Sequence, residues 1–224
     1  MKTATLDRSL SLEQAPAASV AAMTAPTPTT TSVSKTAVNV GLFFLTATFT
    51  FAIGNALIRS YFSSANAHTA LIVGVFLLAC CGLAVAANGA AMRRTLTPYT
   101  PVRSRAYFVL RMTECLTLVA VGMYFLTSHG RWDAYVLAVY AVSGAAGLVL
   151  SSAMLTSRIV PGNLSMLGLI GYPVFLVGTI SAMFNLIDIT HGAGMLALVP
   201  GGLFELVLPI WLFTRGFTSR QIGG

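Results

Sequence analysis

The topology of this chain turns on Ala106–Thr127, AYFVLRMTECLTLVAVGMYFLT, an apolar run that carries Arg111 and Glu114 in its first half. As a helix rising 1.5 Å per residue it reaches about 33 Å, enough to cross a hydrocarbon core of about 30 Å. Each of the two charges costs several kcal/mol in lipid unless it is paired or hydrated. Arg111 and Glu114 lie three residues apart, on one face of a helix, where they can pair with each other. Whether this run crosses the membrane is decided by the sequence around it.

Five further runs surround it. No charge interrupts the 23 residues between Lys35 and Arg59, which place a first span at about 36–58. The uncharged stretch Ser60–Met92 is too long for one span, and a loop around Asn66 and His68 puts its helix at about 69–91. Three more helices are expected at about 133–156, 164–187 and 194–214, bracketed by the turn and charge signals HGRWD, SRIVPGN, DITHG and TRG. Cytoplasmic loops of membrane proteins collect Lys and Arg. If 106–127 spans, one side receives Lys2, Arg8, Lys35, Arg93, Arg94, Arg103, Arg105, Arg158, Arg215 and Arg220, and the other only Arg59 and Arg131. If it does not, four basic residues fall outside against nine inside. The ten-to-two split favours an all-α, polytopic bundle of six transmembrane helices with both termini cytoplasmic.

Composition agrees. Only 8% of residues are charged, 56% are hydrophobic and the mean hydropathy is +0.81; a soluble domain of this size needs a more polar exterior. The net charge of +7 does not indicate nucleic acid, because the basic residues stand singly or in pairs between apolar runs instead of forming a patch. Cys80, Cys81 and Cys115 fall inside apolar runs, without CxxC spacing, and read as small core residues. Residues 1–34 are rich in Ala, Thr, Ser and Pro and are expected to form a disordered cytoplasmic tail. No continuous apolar stretch follows Lys2, so a cleavable secretory signal is not expected. The multi-pass domain is expected over 35–217 in the plasma (inner) membrane, with 218–224 a short cytoplasmic tail.

Small residues suggest where helices meet, since lipid-embedded helices associate by close backbone approach. Ser143, Gly147 and Ser151 in helix four, and Gly82, Ala86 and Ala90 in helix two, repeat every four residues and are expected to face inward, or to hold a protein partner or a second copy. Pro173 in helix five, and Pro200 and Pro209 in helix six, should kink or interrupt those helices.

Arg111, Glu114 and Glu205 are the clear ionisable residues within spans, and such residues are the foremost functional candidates in a membrane protein. Counted from the cytoplasmic ends, Glu114 lies roughly 12 Å deep and Glu205 roughly 14 Å. One guanidinium and two carboxyls at one level suggest a buried cluster between helices three and six, with an excess negative charge unless one Glu holds a proton or a cation sits beside it. The cluster is expected either to exchange protons or ions or to latch the two helices. His68, His129 and His191, with Asp133 and Asp188, fall at the outer loops and are suitable metal ligands by type, but their spacing fixes no site. No GxSxG, P-loop or GxGxxG motif occurs, and no cofactor is expected. Arg93, Arg94, Arg103 and Arg105, in MRRTLTPYTPVRSR, serve as topology determinants or contacts for anionic headgroups.

The stretches SRIVPGNLSMLGLIGYPVFLVG and LVPGGLFELVLPIWLFTRGF carry a resemblance. Arg158, Pro161, Leu167, Gly168, Gly171, Tyr172 and Pro173, then Phe204, Glu205 and Leu206, resemble the bacterial integral-membrane family of unknown function DUF4386, and Arg111 with Glu114 is similar to an Arg-x-x-Glu element in the corresponding place. The resemblance extends over most of 36–217. It implies six membrane helices and no assigned activity, substrate or catalytic residue. Three function classes remain: a proton- or ion-linked transporter or membrane sensor, a structural or partner-binding subunit, and a metal-dependent membrane hydrolase.

The orientation can be checked by labelling. With Cys80, Cys81 and Cys115 replaced by Ala, an impermeant maleimide applied to spheroplasts should label Arg59→Cys and spare Arg158→Cys; the reverse, or labelling of both, would contradict this topology.

Overall fold

A computed structural model describes residues 34–63, 68–128, 130, 132, 134–189 and 192–218. It holds six α-helices, α1 (Lys35–Ser63), α2 (His68–Leu96), α3 (Pro101–Ser128), α4 (Tyr135–Ser157), α5 (Gly162–Met183) and α6 (Val199–Thr214), and a 3-10 segment, Gly192–Ala197, ahead of α6. No strand occurs among the described residues. All six are long and apolar enough to cross a membrane when the 3-10 segment is counted with α6. Residues 1–33, assigned to a disordered tail on composition, lie outside the described residues, as do 219–224.

α1, α2 and α3 are longer than their apolar runs, at 29, 29 and 28 residues. Such helices reach about 43 Å, the bilayer with its headgroup layers, because backbone hydrogen bonding continues after the side chains turn polar. α5 is shorter than its apolar run, ending at Met183 instead of about Ile187. Asn185 adopts a left-handed φ of 56°, a conformation Asn tolerates and one that terminates helices. The sixth span is broken at Leu198, just before Pro200, which occupies the first turn of α6 where its missing N–H costs nothing. Pro173 and Pro209 sit inside continuous helices. Of the three prolines, Pro200 therefore marks the interruption.

Each helix packs against the next in sequence, and α6 closes on α1. The result is a ring in chain order, with α3 and α6 on opposite sides. Two packed zones fill it. At the end carrying Lys35, Arg93, Arg94, Arg103, Arg105, Arg158 and Arg215, residues from all six helices interlock, among them Phe44, Met92, Tyr107, Met154, Tyr172 and Leu208. At the other end the core is built from α1 to α4 alone, by residues such as Ile58, Leu78, Leu118, Phe125 and Val139.

Close backbone approach seals the seams. A Cβ added at Gly54 would lie 2.9 Å from the carbonyl oxygen of Gly74, so α1 and α2 touch backbone to backbone. Gly82 packs on Cys115 of α3, Gly147 lies under the ring of Tyr172, and Gly168 receives Ser151 and Phe204. Gly147 and Ser151 of the α4 repeat thus pack on α5 while Ser143 lines the central cavity, and the α2 repeat begins on the α3 seam. Ala86 and Ala90 are half-buried.

The Tyr172 ring leaves no room for a side chain at position 147: a Cβ there would fall 2.1 Å from it. Overpacking of this kind costs about 1–3 kcal/mol. Gly147→Ala should accordingly lower the thermal midpoint in detergent, whereas Gly162→Ala, where an added Cβ meets nothing within 4 Å, should leave it unchanged.

Candidate binding cavity at Arg111, Glu114 and Glu205

The site begins on α3. Arg111 Nη1 donates to Glu114 Oε2 at 2.7 Å, one turn along the same helix. Arg111 Nε donates to Tyr107 Oη at 2.9 Å, and Tyr107 Oη donates to Asn88 Oδ1 of α2 at 3.0 Å. Both charged residues are only 4% exposed. Charge-assisted bonds of this length are strong, and here they distribute the guanidinium charge over a carboxylate and a phenol. The aliphatic stem of Arg111 lies on Gly89, where an added Cβ would come within 2.8 Å of Arg111 Cβ. The Phe44 ring covers the guanidinium at 5.7 Å.

Glu205 is held differently. It stands on α6, half-buried, and its partners are neutral hydroxyls: Tyr172 Oη donates to its Oε1 over a long 3.3 Å, and Thr48 donates from α1. The Tyr172 ring is fixed by Gly147 beneath it and by Phe204, edge-on at 5.6 Å. The Thr48 hydroxyl has the carbonyl oxygen of Phe44, at 3.0 Å, as its second acceptor. Four residues on, Pro209 has no N–H to offer, so the backbone carbonyl of Glu205 lacks its helical partner.

Both sets of residues face one cavity of about 410 Å³ on the axis of the ring, lined by all six helices. Arg111, Glu114, Cys81, Val85 and Asn88 form its buried wall; Glu205, Gly202 and Leu198 form the opposite one. Phe51, Tyr140 and Phe175 add an aromatic side, with ring centroids 5.9 and 5.3 Å apart in sequence. α3 and α6 do not pack along each other. All three charged side chains share the lining of that one cavity.

Tyr107, Asn88 and Gly89 were not assigned to the charged cluster from the sequence, and Tyr172 entered only through the family resemblance. Tyr107 precedes Arg111 by four residues and so shares its face, and Asn88 is a lone amide in an apolar run; both signals were readable. The basic residues take separate roles. Arg103 Nη1 donates to the carbonyl oxygen of Ser152 at 3.0 Å and to Thr156 Oγ1, fastening the last turn of α4. Arg93 lies over Phe108 at 5.0 Å, and Arg94 and Arg105 are exposed. His68 begins α2 with its ring 5.5 Å from Tyr61, and Asp188 follows α5. His129, His191 and Asp133 lie outside the described residues, among which no group of three metal-ligating side chains comes together.

The half of the cavity that holds Glu205 also has a recognisable sequence. Residues 121–216 match the family model of DUF4386, a domain of unknown function. The matched stretch runs from within α3 through α6, so it includes Tyr172, Phe204 and Glu205 and leaves out Asn88, Tyr107, Arg111 and Glu114. No curated protein and no solved structure matches the chain. The match and the six apolar helices make this a multi-pass membrane protein.

Removing one member of a buried ion pair costs about 3–5 kcal/mol, while replacing both with apolar residues is far milder. Arg111→Leu should strongly destabilise the protein in an SDS unfolding titration, and Arg111→Leu combined with Glu114→Leu should recover most of the loss. Tyr107→Phe, which removes two buried hydrogen bonds, one of them from the guanidinium, should cost about 2–4 kcal/mol.

Proposed function

We propose that this protein is a proton- or cation-linked membrane transporter in which Glu205 is the exchanging group, with the basic end of the ring facing the cytoplasm of the cell that carries it in its plasma membrane. One observation carries the reading: Glu205 is half-buried on the cavity wall with only neutral hydroxyl partners, Tyr172 and Thr48, while the other carboxyl, Glu114, is already neutralised by Arg111. With all three groups ionised, one positive and two negative charges face the cavity and leave it at minus one. In lipid that excess favours a proton or a cation beside Glu205.

The cavity supports the same reading over a purely structural subunit. A latch gains from tight packing, whereas here a space of about 410 Å³ separates α3 from α6. The proline at position 209 and the break at Leu198 loosen the helix that bears Glu205, as binding sites on interrupted membrane helices require.

Liposomes reconstituted with the purified protein should dissipate an imposed proton or alkali-cation gradient, and Glu205→Gln should slow this at least tenfold with an unchanged melting temperature. Absence of flux under either gradient, or equal flux in the variant, would overturn the proposal.

A further inference from the structure

We infer that the cavity receives a lipophilic organic cation, entering sideways from the bilayer between α1 and α6. The inference rests on the reading of Glu205 as the exchanging carboxyl and adds to it a ligand class and a route.

The route follows from uneven packing of one seam. Toward the basic end α1 and α6 are tight: a Cβ added at Gly41 would come within 2.9 Å of the Phe213 ring. Farther along the same seam, Ala52 of α1 and Gly202 of α6 both line the cavity and are both exposed. A Cβ added at Gly202 would meet nothing within 4 Å. Ala52 lies about 5 Å beyond the middle of α1, and Gly202 within about 2 Å of the middle of the sixth span. At that depth the outer surface is hydrocarbon. Phe49 and Ile53 beside Ala52, and Val199, Leu203 and Leu206 around Gly202, are exposed large apolar side chains. An entrance between Ala52 and Gly202 therefore faces lipid tails, not water.

The ligand class follows from charge and lining. Arg111 is paired in charge with Glu114, so the group left without a counter-charge is the Glu205 carboxyl, which repels an anionic headgroup. Glu205 offers a carboxyl. Phe51, Tyr140 and Phe175 line it as well, and aromatic rings attract organic cations. A cavity of about 410 Å³ suits a small drug-sized molecule. A quaternary ammonium or phosphonium carrying apolar groups satisfies all three conditions and can also reach the entrance through the membrane.

Equilibrium binding to the purified protein in nanodiscs, with protein-free discs as blank, tests this with tetraphenylphosphonium and with tetraphenylborate, an anion of similar size and shape. Saturable binding of the phosphonium alone is expected, weakened at least tenfold by Glu205→Gln, largely retained in Glu205→Asp, and lost in Gly202→Trp, which would plug the entrance. Equal binding of both ions, no saturable binding, or indifference to Glu205→Gln would overturn the inference. If phosphonium binding fails while Glu205-dependent proton or alkali-cation flux persists, the ligand class is wrong and the transport reading stands; if both fail, both are wrong.

Discussion

The ion pair between Arg111 and Glu114 is what allows α3 to be a membrane helix. A lone arginine or a lone glutamate at this depth would push the segment toward water. Paired at 2.7 Å on one helix, with Tyr107 taking a further guanidinium N–H, the two cross as a nearly neutral dipole. Everything downstream follows from that crossing. With α3 spanning, α4 to α6 run in the directions that bring α6 back beside α1, and the ring closes. Without it, Glu205 would not face the axis of anything.

The ring divides its labour by height. At the basic end all six helices share one core, and the chain beyond α6 is tied down where Thr218 N–H donates to the Ile159 carbonyl oxygen at 2.8 Å. At the opposite end α1 to α4 form a core without α5 and α6. The carboxyl without a paired guanidinium sits on α6, outside that second core.

The number of spans was legible because lipid imposes a length and penalises charge, and both can be counted along a sequence. Glu114 and Glu205 could be brought to one level by counting the helical rise. What lay between them could not. That α3 and α6 stand across a cavity depends on the closure of α1 on α6, which no local pattern encodes. The end of α5 depends on the left-handed Asn185, whose signal was masked by the apolar Leu186 and Ile187 beyond it. Pro200 announced a break but not its form, a 3-10 segment followed by a fresh helix start. Gly89 and Gly54 matter through what presses on them, and that is known only once neighbours are assigned.

Closure of the ring by α1 and α6 also orders the birth of the site. During synthesis α1 reaches the membrane before the other five helices, and α6 after them. Until α6 arrives, the flank of α1 and the polar wall made by Asn88, Arg111 and Glu114 have lipid or the insertion machinery as their neighbour. The pairing of Arg111 with a residue on its own helix is then a safeguard for the nascent chain, since its neutralisation awaits no later segment. Glu205 is delivered last into a setting already built, and the seam that admits it during assembly is the same α1–α6 line on which Ala52 and Gly202 stay exposed in the finished protein.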